Sequence, residues 1–419
     1  GGVNHLVPSM MDIWKKPILC CSLTILVYLT ASHADVNAIQ RLSRAHFEFT
    51  LDLYHELTLK NSVKDNVLFS PYSITIILSM LFLGMDSSSP ASKQLREVLH
   101  YRNISFNEVH KAFRDVVTNF EEDYYTTSIH FGNALFRQKG ISVSEYYLQA
   151  LKGFYHSDFI QVDFYNSEEA EEYVNNWVSQ KTMGKIPKLL DRSPDPETKL
   201  LLANALWFKG SWSNKFNPSS TFDKGLFFVT PQHRLEIPMM IGKFELPLGY
   251  NRELECRILE LPFAEKRMSM FILLPDDMER GLLYLEKNLT SDNFKALFST
   301  LKDETVNLRL PRFRLQKESN LEDDLKHLGL GDIFIPKKAD LSAMSESSDL
   351  FVSNIFHHAT LEVTEEGAEG AAATATGIER LGTFGDKYFE VDHPFLFLIW
   401  DYYSGMMLFM GRVMKPSPA

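Results

Sequence analysis

The stretch EVTEEGAEGAAATATG, residues 362–377, constrains the fold of this chain more than any other. Ten of the eleven residues at 367–377 are glycine, alanine or threonine, and Glu369 is the exception. This composition is typical of a flexible linker, because small side chains bury little surface. The residues that follow contain PFLFLIW and MMLFMGRVM, which predict a hairpin of buried strands. Those strands need the rest of the chain to pack against, so the run is interpreted as a long, functional loop within one domain.

The composition is that of a globular protein with a large core. The chain has 419 residues, of which 45% are hydrophobic and 23% are charged, and its net charge of -11 argues against a general nucleic-acid-binding protein. NSEEAEEYVNNWVSQKTMGK predicts an amphipathic helix that Asn166 or Ser167 caps and Gly184 ends. PYSITIILSMLFLG predicts a helix buried on most sides. Helical patterns come early and strand patterns late, which indicates an α+β fold.

The first 34 residues are expected to be absent from the mature protein. The residues before Met10 are interpreted as an upstream remnant. Lys15 and Lys16 then precede an apolar stretch at residues 18–29, and small residues follow up to Ala34. This order is typical of a secretory signal peptide, and the apolar stretch is short for a membrane span of about 20 residues. We therefore expect secretion to the extracellular space, no membrane anchor, and a single mature domain at residues 35–419.

Two sequons and one cysteine mark the mature chain. Asn103 and Asn288 each begin an N-x-S/T sequon and are predicted N-glycosylation sites. Cys256 is the only cysteine beyond residue 34, so the mature chain has no internal disulfide. Its strand-like surroundings indicate a buried, inert thiol rather than a nucleophile.

The sequence carries no catalytic signature. It lacks GxSxG, HExxH, GxxxxGK[ST] and paired CxxC motifs. His357 and His358 are adjacent, but no ligand cluster at a suitable spacing accompanies them, so they are interpreted as structural histidines. Arg309, Arg312 and Arg314 are interpreted as charges on the outer side of strands. We therefore expect no enzymatic activity, no cofactor and no metal site.

Several longer motifs, taken in chain order, resemble a single family. They are NVLFSPYSI at 66–74, NNWVSQKTMGKIPKLL at 175–190, LLANALWFKGSW at 201–212, LPRFRL at 310–315, LGLGDIF at 328–334, ADLS at 339–342, DHPFLF at 392–397 and GRV at 411–413. Together with TEEGAEGAAATAT at 364–376, this series resembles the serpins from about residue 45 to residue 416.

The resemblance implies a serpin fold, with a large central mixed sheet, smaller sheets and about nine helices. It also implies an exposed reactive-centre loop at about residues 365–390, which inserts into the central sheet after cleavage. Alternate residues of an inserted strand face the same side, and small side chains there avoid overpacking. The family usually has Thr where Ala368 stands and Ala where Gly370 stands. The hinge implied by the resemblance consists of Glu365, Glu366, Gly367, Ala368, Glu369, Gly370, Ala371, Ala372, Ala373 and Thr374.

The same resemblance implies functional side chains beneath the sheet. Ser73, Asn204 and His357 match the hydrogen-bonding trio that the family calls the shutter. Trp212 matches the aromatic residue of the region called the breach. In a sheet that opens, these side chains would serve the core and the conformational change together.

The bond that a protease would cut follows from the family's usual spacing. That spacing places the bond between Leu381 and Gly382, and a loop one residue shorter places it between Arg380 and Leu381. Leu381 suits a chymotrypsin-like or elastase-like pocket, whereas Arg380 suits a trypsin-like pocket with a buried carboxylate. Both alternatives stay open on the sequence alone.

Together these features predict a monomeric, secreted suicide inhibitor that traps a serine protease as a covalent acyl-enzyme. The alternative is a non-inhibitory serpin that acts as a carrier or binding protein. In the predicted helix NEVHKAFRDVVTNFEEDYY, Lys111 and Arg114 are outnumbered by acidic residues. Heparin is therefore expected to accelerate inhibition weakly or not at all.

Overall fold

A computed structural model describes residues 37–122, 128–264, 266–365 and 386–419. The signal-peptide interpretation therefore lies outside the described residues. Within them, nine α-helices agree with the prediction of about nine. They are α1 (Ala38–Lys60), α2 (Pro71–Leu83), α3 (Pro90–Val98), α4 (Phe106–Glu122), α5 (Glu145–Tyr155), α6 (Ser167–Lys181), α7 (Gly281–Lys287), α8 (Ser291–Phe298) and α9 (Glu322–His327).

The same parts of the chain contain fourteen strands. They are β1 (Val67–Phe69), β2 (Ser128–Gln138), β3 (Phe159–Val162), β4 (Leu200–Lys209), β5 (Phe222–Thr230), β6 (His233–Asn251), β7 (Cys256–Pro262), β8 (Met268–Pro275), β9 (Lys302–Pro311), β10 (Phe313–Asn320), β11 (Val352–Val363), β12 (Lys387–Glu390), β13 (Phe395–Asp401) and β14 (Met406–Val413). The predicted C-terminal hairpin is β13–β14.

The strands form two mixed sheets, which confirms the predicted α+β fold. The larger sheet has nine strands in the order β1-β14-β13-β8-β7-β6-β9-β12, with β5 paired to β6. The other has five strands in the order β10-β11-β4-β2-β3. In the five-stranded sheet β11 runs parallel to β4, although both have antiparallel neighbours on their other sides.

Local sequence explains the two helices that cover the five-stranded sheet. Helix α2 begins at Pro71, its N-cap Ser70 accepts a hydrogen bond from the Ser73 amide, and all thirteen of its residues are buried. Helix α6 begins at Ser167, as predicted, but the side chain of its N-cap Asn166 makes no capping hydrogen bond. It ends at Lys181, before Met183 (φ 53°) and Gly184 (φ 75°) turn the chain in left-handed conformation.

The five-stranded sheet separates two apolar cores of different size. Leu200, Leu202 and Leu206 of β4 join the large core, which includes α2 and much of the nine-stranded sheet. The alternate residues of β4 join a small cluster beneath α6 and the segment that follows it. The members of this cluster on β4 are Leu201, Ala203, Ala205 and Trp207.

Three further findings bear on function. Cys256 is buried at the start of β7, where burial raises its pKa to about 12, as expected for an inert thiol. No helix in the described ranges is both long and apolar enough to cross a membrane. Across the same ranges, no group of three or more histidine, cysteine, aspartate or glutamate side chains could hold a metal ion.

Candidate functional site

The segment after β11 is attached to the body of the protein at its first two residues. The indole Nε1 of Trp212 donates a hydrogen bond to the Thr364 carbonyl at 2.8 Å. The Phe216 amide donates to the Glu365 carbonyl at 3.1 Å. Trp212 itself is fixed by a stacked contact with Phe263, with ring centroids 4.7 Å apart. The backbone is therefore held at the point where the predicted hinge begins.

The side chain of Glu365 strengthens this attachment. It is 8% exposed, and its Oε1 accepts a hydrogen bond from the Thr221 hydroxyl at 2.7 Å. Arg312 Nη1 lies 3.3 Å from the same oxygen and forms an ion pair with it. A buried carboxylate needs such partners, because an unpaired charge in this position would be costly. Arg312 itself is 32% exposed, in keeping with a charge on the outer side of the strands, but it pairs with a buried carboxylate, whereas Arg309 and Arg314 pair with carboxylates nearer the surface.

The chain is described again from Asp386, which is anchored at the edge of the other sheet. Its carboxylate is 3.1 Å from Lys243 Nζ, and Asn307 Nδ2 donates to it at 3.2 Å. The residues between the two anchors are outside the described part of the chain. They include the predicted hinge residues Glu366, Gly367, Ala368, Glu369, Gly370, Ala371, Ala372, Ala373 and Thr374 and both alternative reactive bonds at Arg380, Leu381 and Gly382.

A row of polar side chains crosses three strands of the five-stranded sheet on its large-core face. Asn133 of β2 lies opposite Asn204 of β4, and Asn204 lies opposite His357 of β11. The His357 Nδ1–H group donates to Asn204 Oδ1, and Asn204 Nδ2 donates to Asn133 Oδ1. We call these three residues the polar ladder. It joins β4 to β11 by side chains as well as by the backbone.

The polar ladder holds a neutral histidine. His357 is 1% exposed, and burial lowers its pKa to about 3. Its Nε2 accepts a hydrogen bond from the Ser70 amide at 3.0 Å, which leaves the proton on Nδ1. Each ring nitrogen therefore has one partner, and the ring orientation is fixed.

The structure corrects the membership of the predicted trio. Ser73 is fully buried near the ladder, but its hydroxyl has no hydrogen-bond partner among the residues described. The partner from α2 is instead the backbone amide of Ser70. The reason is the position of each residue in α2. Ser70 is the N-cap, so its amide has no acceptor within the helix and can donate to His357. The amide of Ser73 already donates to the Ser70 hydroxyl. Asn204 and His357 are brought together as the sequence predicted.

Two members of the site were missed from the sequence. Asn133 is the one amide in the apolar strand run FGNALF, and Arg312 is the basic residue after Pro311 in LPRFRL. A polar residue between apolar neighbours in a buried strand needs a partner, and that signal could have found Asn133. Arg312 gave no such signal, because its partner Glu365 is distant in the sequence.

The predicted modification sites differ in their surroundings. Asn103 ends a 3-10 turn and is exposed, whereas Asn288 is half-buried and its Nδ2 donates to the Tyr284 carbonyl at 2.9 Å. Asn103 is thus the more accessible sequon.

Of the two basic residues on α4, Lys111 and Arg114, Arg114 pairs with Asp115 at 3.0 Å.

The fold and this site define a class of protein by two features. Residues 366–385 connect the five-stranded sheet to the nine-stranded sheet, and the strand that precedes them, β11, runs parallel to its neighbour β4. A family model described as "Serpin (serine protease inhibitor)" matches residues 44–416. The chain therefore belongs to the serpin family.

Relatives and solved structures agree with this assignment. The chain is 37% identical to human leukocyte elastase inhibitor over 388 residues, which cover 90% of this chain and all of that protein. A solved structure of a tumour-suppressing serpin superposes with a TM-score of 0.81 at 29% identity and covers 90% of this chain and 99% of its own. Human thyroxine-binding globulin superposes with a TM-score of 0.83 at 27% identity and covers 91% of this chain and all of its own.

Proposed function

We propose that this protein is a secreted suicide inhibitor of serine proteases. The serine hydroxyl of the target attacks the carbonyl carbon of the reactive bond, the peptide bond to the next residue breaks, the new amino terminus leaves with the proton of the hydroxyl, and an acyl-enzyme remains. Cleavage frees the segment to insert between β4 and β11. The observation that carries the proposal is the attachment of Glu365, which follows β11 and directly precedes the glycine-, alanine- and threonine-rich stretch of the sequence; β11 itself pairs in parallel with β4.

The strand directions favour this insertion. Because β11 leads directly into the segment, a chain that turns back at the hinge runs antiparallel to β11. It also runs antiparallel to β4, since β4 and β11 are parallel and pair from Val352 opposite Leu200 to Leu361 opposite Phe208. Antiparallel pairing is slightly more stable per residue than parallel pairing, so the inserted state is favoured.

Insertion has to break the polar ladder. His357 and Asn204 belong to the two strands that separate, so their hydrogen bond cannot survive between them. The loss of this hydrogen bond contributes to a barrier to insertion, and in the proposed mechanism that barrier holds the native form although the inserted form is more stable. Insertion drags the attached protease away, and distortion of its oxyanion hole stops deacylation.

The name of the relatives supports one of the two reactive bonds. Leukocyte elastase inhibitors are named for an elastase, and a leucine suits an elastase-like or chymotrypsin-like pocket. We therefore propose Leu381–Gly382 as the reactive bond, with Arg380–Leu381 as the alternative.

One gel experiment tests the proposal. The chain from Asp35 onward is mixed with elastase, chymotrypsin and trypsin in turn, and each mixture is analysed by denaturing electrophoresis and mass spectrometry. We expect an SDS-stable complex and a new C-terminal fragment that begins at Gly382. A fragment that begins at Leu381 would assign the reactive bond to Arg380 instead.

A pair of variants separates trapping from simple cleavage. If the segment inserts as a strand, Ala368, Gly370, Ala372, Thr374 and Thr376 share the face that has to enter the core. Ala372→Arg places a long charged side chain in that set, so we expect cleavage without complex formation. Glu369→Gln changes a residue on the opposite side of the inserted strand and should leave complex formation intact. Complex formation by the Ala372→Arg variant would contradict insertion.

The alternative of a carrier serpin gives a different result in the same experiment. All three proteases would cut the segment and remain active. Thermal unfolding of the cleaved protein then decides, because only a segment that inserts raises the unfolding temperature. An unchanged unfolding temperature would favour the carrier.

Secretion and glycosylation are tested together. Expression in animal cells should deliver the protein to the medium with a glycan that a glycosidase removes. Asn103→Gln should abolish most of the mobility change, whereas Asn288→Gln should have a smaller effect because its amide is engaged. Retention of the whole product inside the cells would contradict the signal-peptide interpretation.

Heparin is not proposed as a partner. Lys111 is one exposed basic side chain on α4, and Arg114 is already paired. We expect heparin to change the inhibition rate by less than about tenfold at physiological salt. An acceleration of about tenfold or more would contradict this expectation.

A further inference from the structure

A short segment after α6 lies across the place where β4 and β11 meet. We call residues 182–191 the crossing segment. Lys185 Nζ lies 4.8 Å from the centroid of the Trp207 ring on β4. Three residues further along the chain, the Lys188 carbonyl accepts a hydrogen bond from His358 Nδ1 of β11 at 3.1 Å. The crossing segment therefore passes from β4 to β11 over the line along which the strands would separate.

Helix α6 holds the crossing segment in place. The Asn175 Oδ1 accepts hydrogen bonds from the Leu189 and Leu190 amides, both at 2.8 Å, and its Nδ2 donates to the Leu190 carbonyl at 2.9 Å. Ile186, Leu189 and Leu190 are buried in the small cluster. These contacts seal the outer face of β4 and β11.

His358 is the one contact between the crossing segment and β11 that can change its charge. It is 1% exposed, and burial lowers its pKa to about 4. With Nδ1–H donating to Lys188, the second proton would have to go to Nε2, which is buried without a hydrogen-bond partner in the part of the chain described. The closed arrangement therefore disfavours the charged form of the ring.

The charged groups around His358 act in both directions. Burial, the largest cause, lowers the pKa of His358; the hydrogen bond to the Lys188 carbonyl raises it, Asp191 of the crossing segment raises it further, and Arg314 of β10 lowers it. Glu318 of β10 is opposite His358, with Oε1 3.4 Å from Nδ1, and Lys188 is also near Glu318. Burial, followed by the Asp191 carboxyl, raises the pKa of Glu318 itself. Uptake of a proton by Glu318 would favour the closed arrangement in acid, opposite to the effect of His358.

We propose that His358 makes the crossing segment a latch over β4 and β11 that acid releases. This inference rests on the proposed function, because release matters only if a strand has to insert beneath the segment. When the crossing segment lifts, water reaches the His358 ring and its pKa returns towards the ordinary value of 6.5. The lifted state then binds more protons than the closed state between about pH 4 and pH 6.5, so lowering the pH through that window favours release.

The balance between His358 and Glu318 sets the range in which the latch works. The shift of His358 runs from 6.5 to about 4, so it acts throughout mildly acidic conditions. The pKa of Glu318 is raised from 4.5, so the closed state binds the extra proton at pH values above 4.5, inside the window in which His358 acts, and there it opposes release. Well above pH 6.5 the His358 ring is neutral in both the closed and the lifted arrangement, and release no longer depends on pH.

Hydrogen exchange tests the latch without any protease. Protection factors for peptides that cover residues 185–191 are measured at about pH 7.5 and about pH 5.5 for the wild type and for His358→Gln. We expect wild-type protection to fall roughly three- to tenfold at the lower pH. The glutamine keeps a donor for the Lys188 carbonyl but stays neutral, so the protection of His358→Gln should be the same at both pH values.

Two further variants sharpen the result. His233→Gln makes the same change on an exposed position of β6 and should behave as the wild type does. Glu318→Gln removes the opposing titration, so its protection should fall at least as far as that of the wild type. Equal wild-type protection at the two pH values, or an equal fall in His358→Gln, would overturn the proposal.

An inhibition measurement keeps the latch and the proposed function apart. The rate of complex formation of His358→Gln is divided by that of the wild type at each pH, which cancels the pH dependence of the protease. We expect this ratio to fall below one as the pH is lowered. A pH-dependent latch in a protein that forms no complex would refute the proposed function alone, whereas a constant ratio despite complex formation would refute the link from latch to insertion.

Discussion

His357 and His358 are neighbours in β11, but their side chains lie on opposite faces of the five-stranded sheet. The two rings differ in how many of their nitrogens have a hydrogen-bond partner. His357 points to the large core, where Ser70 and Asn204 fix both nitrogens of its ring. His358 points to the outer face, where one nitrogen contacts the crossing segment and the other has no partner in the described chain. Burial keeps both rings neutral, but only the first has a complete set of hydrogen bonds.

The surrounding side chains repeat this difference. The large-core face of β4 presents Leu200, Leu202 and Leu206 to helices and strands of both sheets. The outer face presents Leu201, Ala203, Ala205 and Trp207 to a small cluster held largely by α6 and the crossing segment. Because the crossing segment packs in a cluster separate from the large core, it can open without dismantling that core, and local opening is expected in the smaller cluster first.

The largest effect should come from two adjacent leucines on opposite faces. Leu202→Ala creates a cavity in the large core and should lower the free energy of unfolding by about 3 kcal/mol. Leu201→Ala, which loses the same atoms from the small cluster, should cost less, because its cover can settle into the space. Urea unfolding measures both, and equal losses would remove the distinction between the faces.

The second prediction concerns acid and the inner histidine. Burial lowers the pKa of His357 from 6.5 to about 3 in the folded protein. Between these two values the unfolded chain binds more protons than the folded protein. The free energy of unfolding therefore decreases as the pH falls from 6.5 towards 3. Between pH 7 and about pH 5, His357→Gln should lose about 2 kcal/mol less than the wild type. Urea unfolding at the two pH values checks this.

Other buried histidines limit what that variant can remove. His46 and His110 also have pKa values lowered to about 3 by burial, so part of the acid sensitivity should remain. A variant with the full wild-type loss would show that His357 is charged in the folded protein.

The smallest effect on global unfolding is expected from a change that loosens the crossing segment. Asn175→Ala removes three hydrogen bonds to Leu189 and Leu190, at a cost of about 1 to 3 kcal/mol to local closure. Because the crossing segment can open by itself, the urea midpoint should change little while exchange at residues 185–191 accelerates. Asn107→Ala, on an exposed position of α4, is the matched control. A large change in the urea midpoint would show that the cover and the large core unfold together.

The sequence predicted the elements better than their contacts. Periodicity and glycine placed α6 and its end, and an unbroken apolar run predicted the buried α2. Asn204 and His357 were found through the family motifs, but Ser70 was not, because its contribution is a backbone amide that no residue type announces. The partner of His358 is the carbonyl of Lys188, distant in the chain, so its role depends on tertiary structure alone.

The approach of α6 to β2 has a consequence for how the sequence can vary. A Cβ atom at Gly132 would lie 2.7 Å from the Trp177 ring and 2.9 Å from Lys181 Cβ, so the helix rests on the backbone of the strand itself. The distance between α6 and the five-stranded sheet is thus set by the backbone of β2 at Gly132. The solvent side of α6, including Glu168 and Glu172, is free to accept other polar residues, while exchange of Gly132 for any larger residue would require a compensating change at Trp177.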